Sequence, residues 1–185
     1  MNIFVLNDNP ILAAINLCDK HIPKMIVESA QMVSTAHRVL DGTMYIAYTK
    51  NKRKIKRWSL ESDTDFNTPR LYKAAMVNHP CTVWTRDSSD NYMWLCVHAL
   101  QMISEFKLRF SNTHKSEAIL LWCMNNKPKN IPDGKLTPFA QAMPDYCKIE
   151  KDPVSAYRNY YINEKSNIAY WNKIPNRKPT WFDSN

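Results

Sequence analysis

The sequence predicts a mainly α fold: one compact domain of about three long helices, with shorter helices and a small hairpin or extended insert. Three observations lead there. Apolar residues recur at helical spacing in two long stretches, Asp19–Leu40 and about Ser88–Phe110. Only two glycines, Gly42 and Gly134, occur in 185 residues, too few for a fold built on tight hairpins. Hydrophobic residues make up 44% of the chain, which is enough for a full core.

Residues 2–6, NIFVL, are apolar and fit a segment threaded into the core. Asn9-Pro10 supplies a cap and a first-turn proline for a short helix through Cys18. The main helix follows, with Asp19 as expected N-cap and Gly42 as stop. Its core stripe is Ile22, Met25, Ile26, Ala30, Val33, Ala36 and Leu40. A second stripe, His21, Lys24, Glu28, Gln31 and Thr35, shares another face. An acid, a base and a cation on one face are able to line a site; the plainer reading is a solvated face.

After Gly42, MYIAYT alternates weakly and suits a short strand. Asn51–Trp58 carries five cations in eight residues and precedes a polar, acidic stretch. Residues 44–75 therefore read as an exposed insert, either a solvated loop or a phosphate-contacting arm with Trp58 available for stacking. Asn78–Arg86 reads as extended or turn, because Pro80 pushes His79 out of helical geometry. The next helix is capped at Asp87 or Ser88 and runs to about Phe110. Its core stripe is Tyr92, Leu95, Cys96, Ala99, Leu100, Ile103 and Phe106, with Trp94, His98, Gln101 and Glu105 opposite. A short helix over Ser116–Met124, a proline-punctuated loop over 126–144, and a last helix from Asp152-Pro153 to about Tyr170 complete the order. The tail Asn176–Phe182 is extended, basic and aromatic. No repeat or composition break divides residues 1–185 into two domains.

Composition narrows the function. The formal net charge is +8 and the pI about 9.2, which favours an acidic partner, most often nucleic acid. The glycine count excludes a glycine-rich phosphate loop or a GxGxxG dinucleotide site. Five scattered cysteines without a CxxC pair support neither a zinc cluster nor a disulfide framework. A metal site from His21, His37, His79 and Cys81 has no support in spacing, so neither metal nor cofactor is expected. No apolar run reaches the ~18 residues of a transmembrane helix, and the start shows no signal peptide. A soluble cytoplasmic protein without membrane contact is the expectation.

Three ordered segments resemble the phage-type pyrimidine-dimer DNA glycosylases, the endonuclease V-like repair enzymes that are also abasic-site (AP) lyases. LCDKHIPKMIVES, residues 17–29, resembles that family's Leu–Ala–Asp–Gln–His segment leading into its first long helix. NHPCTVWTRDSSDNYMWL with the later ISEF looks like its GHVTFF segment and following helix. NEKSNIAYWNKIPNRKPTWF resembles its DEK…RPTW ending. Residues 44–75 and 125–150 have no counterpart. The resemblance implies duplex DNA with a damaged or modified base as partner, and a bacterial or phage-infected bacterial cell as setting.

By that resemblance Glu28 falls on the family's catalytic glutamate, which stabilises the cationic sugar as the glycosidic bond breaks. Lys165 matches a phosphate-contacting lysine, and His21 a first-turn histidine near the active site. Two departures bear on activity. The family's nucleophile is the α-amine of a processed N-terminal threonine. Here residue 2 is Asn, whose bulk discourages removal of Met1, so the amine would sit on Met1 or be displaced. The arginine before the catalytic glutamate is Val27 here.

A bifunctional glycosylase needs an amine of lowered pKa to attack C1′ and a carboxylate to hold the developing charge. Met1 and Lys24 are the amine candidates. The base must leave the stack, and Trp84 or Trp94 is a candidate to fill the gap or receive it; core packing is the competing reading for both. Lys24, Arg86, Lys115, Arg158 and Lys165 are candidate phosphate contacts, against ordinary surface cations. His79 is either a site residue or a turn-stabilising histidine. Two other functions stay open: a non-catalytic nucleic-acid or nucleotide-binding module on the same fold, and an enzyme acting on free nucleotides through His21, Glu28, His79 and Arg86.

Overall fold

The computed structural model describes residues 1–182. It is mainly helical: α1 (Pro10–Ile15), α2 (His21–Asp41), α3 (Pro80–Asp87), α4 (Ser89–Phe110), α5 (Glu117–Asn125) and α6 (Pro153–Lys165). One antiparallel pair, β1 (Thr43–Tyr48) and β2 (Lys54–Ser59), stands between α2 and α3. No helix among the described residues is long and apolar enough to cross a membrane.

The core gathers around α2 and α4. Ile22, Met25, Ile26, Met32 and Val33 of α2 meet Tyr92, Leu95, Cys96, Ala99 and Met102 of α4 in one buried cluster. Ile3, Phe4, Val5 and Leu6 enter that cluster as an irregular segment, as the run of apolar residues predicts. All five cysteines are buried thiols.

Helix boundaries follow local chemistry. Asn9 caps α1 by accepting from the Ile11 and Leu12 amides, and Ser88 caps α4 by accepting from Asn91. Asp152 caps α6 through the Ser155 amide, with Pro153 in the first turn. Gly42 ends α2, for steric reasons rather than a left-handed turn. A Cβ there would lie 2.4 Å from the Arg38 carbonyl and 2.9 Å from that of Ser59.

Three expectations are corrected. Asn78–Arg86 is not an extended segment, because Pro80 opens helix α3. Proline does hold His79 extended, at φ −68° and ψ 137°, but that is the geometry of an N-cap, so the same residue pair starts a helix. Asp19 does not cap α2. Its carboxylate accepts from the Asn172 and Lys173 amides and from Arg109 instead. Helix α6 ends at Lys165, not near Tyr170, because the chain turns back to pair Tyr170 O with Asp19 N and to seat the Trp171 indole on Asn16 O. The side of α4 opposite its core stripe is buried at Trp94, His98 and Glu105, as core packing of Trp94 requires. Trp94 Nε1 donates to Asp8 O, His98 Nδ1 meets Pro10 O, and Glu105 receives Arg109.

Candidate active site

The second stripe of α2 is not a solvated face. The amino-terminal segment crosses it, and Glu28 becomes the floor of a polar cavity of about 280 Å³. Met1, Asn2, Phe4, His21, Lys24, Ala142, Tyr160 and Lys165 form its walls. The Asn2 amide donates to Glu28 Oε2 at 2.7 Å. The Met1 ammonium lies 3.8 Å from the same oxygen, and Lys24 Nζ lies 3.8 Å from Oε1. The Glu28 side chain keeps 15% of its surface exposed, while that of Lys24 keeps 65%. Three positive or N–H groups thus converge on one carboxylate at the edge of solvent.

The amino terminus is held in this position by its own residues. Asn2 Oδ1 accepts from the Ile3 and Phe4 amides, and its Nδ2 donates to Ala142 O. These bonds bend the chain sharply enough that Phe4 takes φ +53°, a left-handed value unusual for an aromatic residue. The Phe4 ring is fixed by stacking on His21 at 4.7 Å and Tyr160 at 5.7 Å. The Met1 side chain, only 4% exposed, packs inward, with Sδ accepting from the Thr82 hydroxyl.

His21 is buried and hydrogen-bonded through Nδ1 to the Tyr161 hydroxyl at 2.5 Å. Burial, reinforced by the charges of Lys24, Lys165 and Lys20, pushes its pKa down to about 4. It is therefore a neutral imidazole at pH 7. His79 does not line the cavity. Its Nδ1 accepts from the Cys81 amide as the cap of α3. Its pKa is lowered first by burial and then by the charge of the chain's amino terminus, with Glu28 acting in the opposite direction. Lys165 closes one wall of the cavity, with Nζ 4.7 Å from the centre of the Tyr160 ring.

The remaining candidates are placed elsewhere. Trp84 and Trp94 sit in the core with Phe139, ring centres 4.9 to 6.0 Å apart, and their indole N–H groups donate to Thr137 O and Asp8 O. They do not line the Glu28 cavity, because their bulk fills the space beside α4. Arg86 donates to Val77 O and Thr82 O, tying the approach to α3. Arg158 donates to Leu6 O and lies over the Trp181 ring. Both are engaged within the fold. Lys115 is exposed beside a separate cavity that Val27 also lines.

Sequence reasoning missed Asn2, Phe4, Tyr160 and Tyr161. A polar residue opening the apolar run 2–6 was the one available signal for Asn2; nothing marked the tyrosines beyond the helical spacing of α6. Among the described residues no cluster of His, Cys, Asp or Glu is suited to hold a metal ion.

Comparison with curated proteins and with solved structures gave no match to either. The family model for pyrimidine dimer DNA glycosylase matches residues 1–118. That span holds Glu28, His21, Lys24 and the amino terminus that meets them, and it covers well over half of the 185 residues. On this match the chain belongs to the pyrimidine dimer DNA glycosylase family.

Proposed function

We propose that the protein is a base-excision enzyme for duplex DNA, an N-glycosylase and abasic-site lyase acting on damaged or modified pyrimidines through the amino-terminal amine and Glu28. The observation that carries this reading is the convergence of the Asn2 amide at 2.7 Å and the Met1 ammonium at 3.8 Å on one Glu28 oxygen. The bulk of Asn2 disfavours removal of Met1, so in this reading Met1 supplies the amine.

In this mechanism the amine, freed of its proton, attacks C1′. A C–N bond forms while the glycosidic bond breaks, and its electron pair leaves with the base, which takes up a proton. Glu28 holds the positive charge that gathers on the sugar. Opening of the sugar gives an imine. Removal of a C2′ proton by the carboxylate then expels the 3′ phosphate, and water releases the amine. Lys24 and Lys165 flank the cavity and suit the phosphates on either side. His21, neutral and tied to Tyr161, acts as an uncharged wall that shapes the pocket.

A second reading, a nucleic-acid-binding module without turnover, is favoured by one observation. The ammonium sits at 3.8 Å, outside hydrogen-bond range of the carboxylate. Glu28→Gln distinguishes the two. On a duplex carrying a thymine dimer or an abasic site, the variant is expected to lose strand cleavage by at least about 100-fold while still binding DNA. Absence of cleavage by the unaltered protein, with binding retained, would establish the binding module. Turnover of free nucleotides without DNA binding would establish neither.

A further inference from the structure

The pair β1–β2 is a two-stranded ribbon; among the described residues no third strand pairs with it, and most of its residues are exposed. Residues 43–59 carry six cations, Lys50, Lys52, Arg53, Lys54, Lys56 and Arg57, and no acid. Cross-strand partners share a face, so Met44 lies beside Trp58, Ile46 beside Lys56, Tyr48 beside Lys54, and Tyr45 beside Arg57. Each is an apolar or aromatic group next to a cation or an indole. Tyr48 is 63% exposed and Met44, Tyr45 and Ile46 each 49%. A monomeric protein rarely leaves such a surface open without a partner for it.

The ribbon is rigidly mounted. The Arg38 guanidinium, buried at the end of α2, donates to Trp58 O, Leu71 O and Tyr72 O and forms a paired bond with Asp63. Gly42 allows the Arg38 and Ser59 carbonyls to close against the chain at the same point. The mount also shares helix α2 with the Glu28 cavity. Gln31, on the Glu28 face of α2, lines a groove with Arg57, Arg70 and Lys73. Ten residues separate Glu28 from Arg38, about 15 Å along the helix axis, or roughly 4–5 base-pair steps of duplex.

We propose that this ribbon is a second duplex-binding arm, entering the DNA major groove about one half-turn to one side of the base acted on. The inference rests on the DNA reading above. Ribbon thickness selects the groove. With side chains on both faces it measures roughly 10 Å, which fits the ~12 Å major groove and not the ~6 Å minor groove. The cations reach phosphates on both groove walls, while Tyr45, Ile46 and Tyr48 suit base edges and thymine methyl groups. The arm makes the footprint one-sided and strengthens the enzyme's hold on intact flanking duplex.

The test uses the full chain and a 40-base-pair duplex with a tetrahydrofuran abasic analogue, probed by hydroxyl-radical footprinting, guanine-N7 methylation and salt titration. One variant neutralises the strands, Arg53→Gln, Lys54→Gln, Lys56→Gln and Arg57→Gln. A milder one changes only the turn, Lys50→Ser and Lys52→Asn; Lys52 has φ +57°, which Asn tolerates. The strand variant is expected to lose protection over about five base pairs on one side, to expose guanine N7 there, and to flatten the log–log salt slope by about 2 or more. The turn variant should flatten it by about 1. Cleavage at the abasic site of a short duplex lacking that flank should be unchanged. An unaltered footprint and slope in the turn variant, or in a folded strand variant, would overturn the arm while leaving the DNA reading intact. No footprint from the parent protein would overturn both.

Discussion

Asn2 and Glu28, 26 residues apart, meet at 2.7 Å, the backbone amide of one donating to the carboxylate of the other. The contact fixes where the chain's amine lies, because the Asn2 side chain also clamps the Ile3 and Phe4 amides and Ala142 O. If that amine is the nucleophile we propose, Asn2 is a positioning residue that acts through the backbone.

Replacing Asn2 by Ala removes those side-chain bonds and leaves the Ile3 and Phe4 amides without their partner. The expected stability loss is about 1–2 kcal/mol. Imine formation at an abasic site should slow by about tenfold or more, with DNA affinity little changed. Denaturant titration, single-turnover trapping and a binding isotherm separate these effects. A variant as fast as the parent would show that the clamp has no role in placing the amine.

Arg109 joins parts of the chain that are distant in sequence. It is fully buried and donates to Leu17 O, Ile15 O, Asp19 and Glu105, whose own side chain is 2% exposed. Arg109→Ala would strand a buried carboxylate and two carbonyls. The expected loss is about 3–5 kcal/mol, read as a drop in the urea midpoint. A loss below about 1 kcal/mol would mean that Arg177, which also reaches Glu105, carries the charge alone.

Stability should fall on the acid side of neutrality. Burial pushes His21, His37 and His98 down to about 4, against about 6.5 in the unfolded chain. Below pH 6.5 the unfolded chain therefore binds protons that the folded one refuses. The stability is fully present above 6.5 and declines as pH falls toward 4, where the slope levels. Each histidine contributes a slope of up to about 1.4 kcal/mol per pH unit in that window. Urea unfolding between pH 7.5 and 4.5 reads this slope. A flat profile would show that the folded imidazoles take up protons as readily as those of the unfolded chain, through acceptors that stabilise the charged ring.

The fold was legible where one residue type has one physical use. Ser88, Asn9 and Asp152 cap helices because a short oxygen-bearing side chain before a helix has unpaired amides to satisfy. Asp19 looked the same but is drawn away by Arg109 and the Asn172 and Lys173 amides, partners that sequence distance conceals. Pro80 marked a backbone change without saying whether a loop or a helix followed it. At the site, Glu28, Lys24 and His21 were readable from α2's spacing, and Met1 from the resemblance. Asn2 and Phe4 were not, because their roles depend on a left-handed bend and on rings of α6 that local pattern does not encode. Trp84 and Trp94 carried the right chemistry for a base pocket, but their position beside Phe139 made them core.

In the proposed chemistry the amino-terminal amine beside Glu28 is the nucleophile. Borohydride reduction during incubation with an abasic duplex, followed by peptide mapping of the adduct, identifies the attacking amine. The expected result is a covalent adduct on the α-amine of Met1, retained in Lys24→Met, abolished by selective N-terminal acylation, and still formed in Glu28→Gln, which loses strand cleavage instead. An adduct on Lys24, or strand cleavage with no trappable adduct, would contradict it.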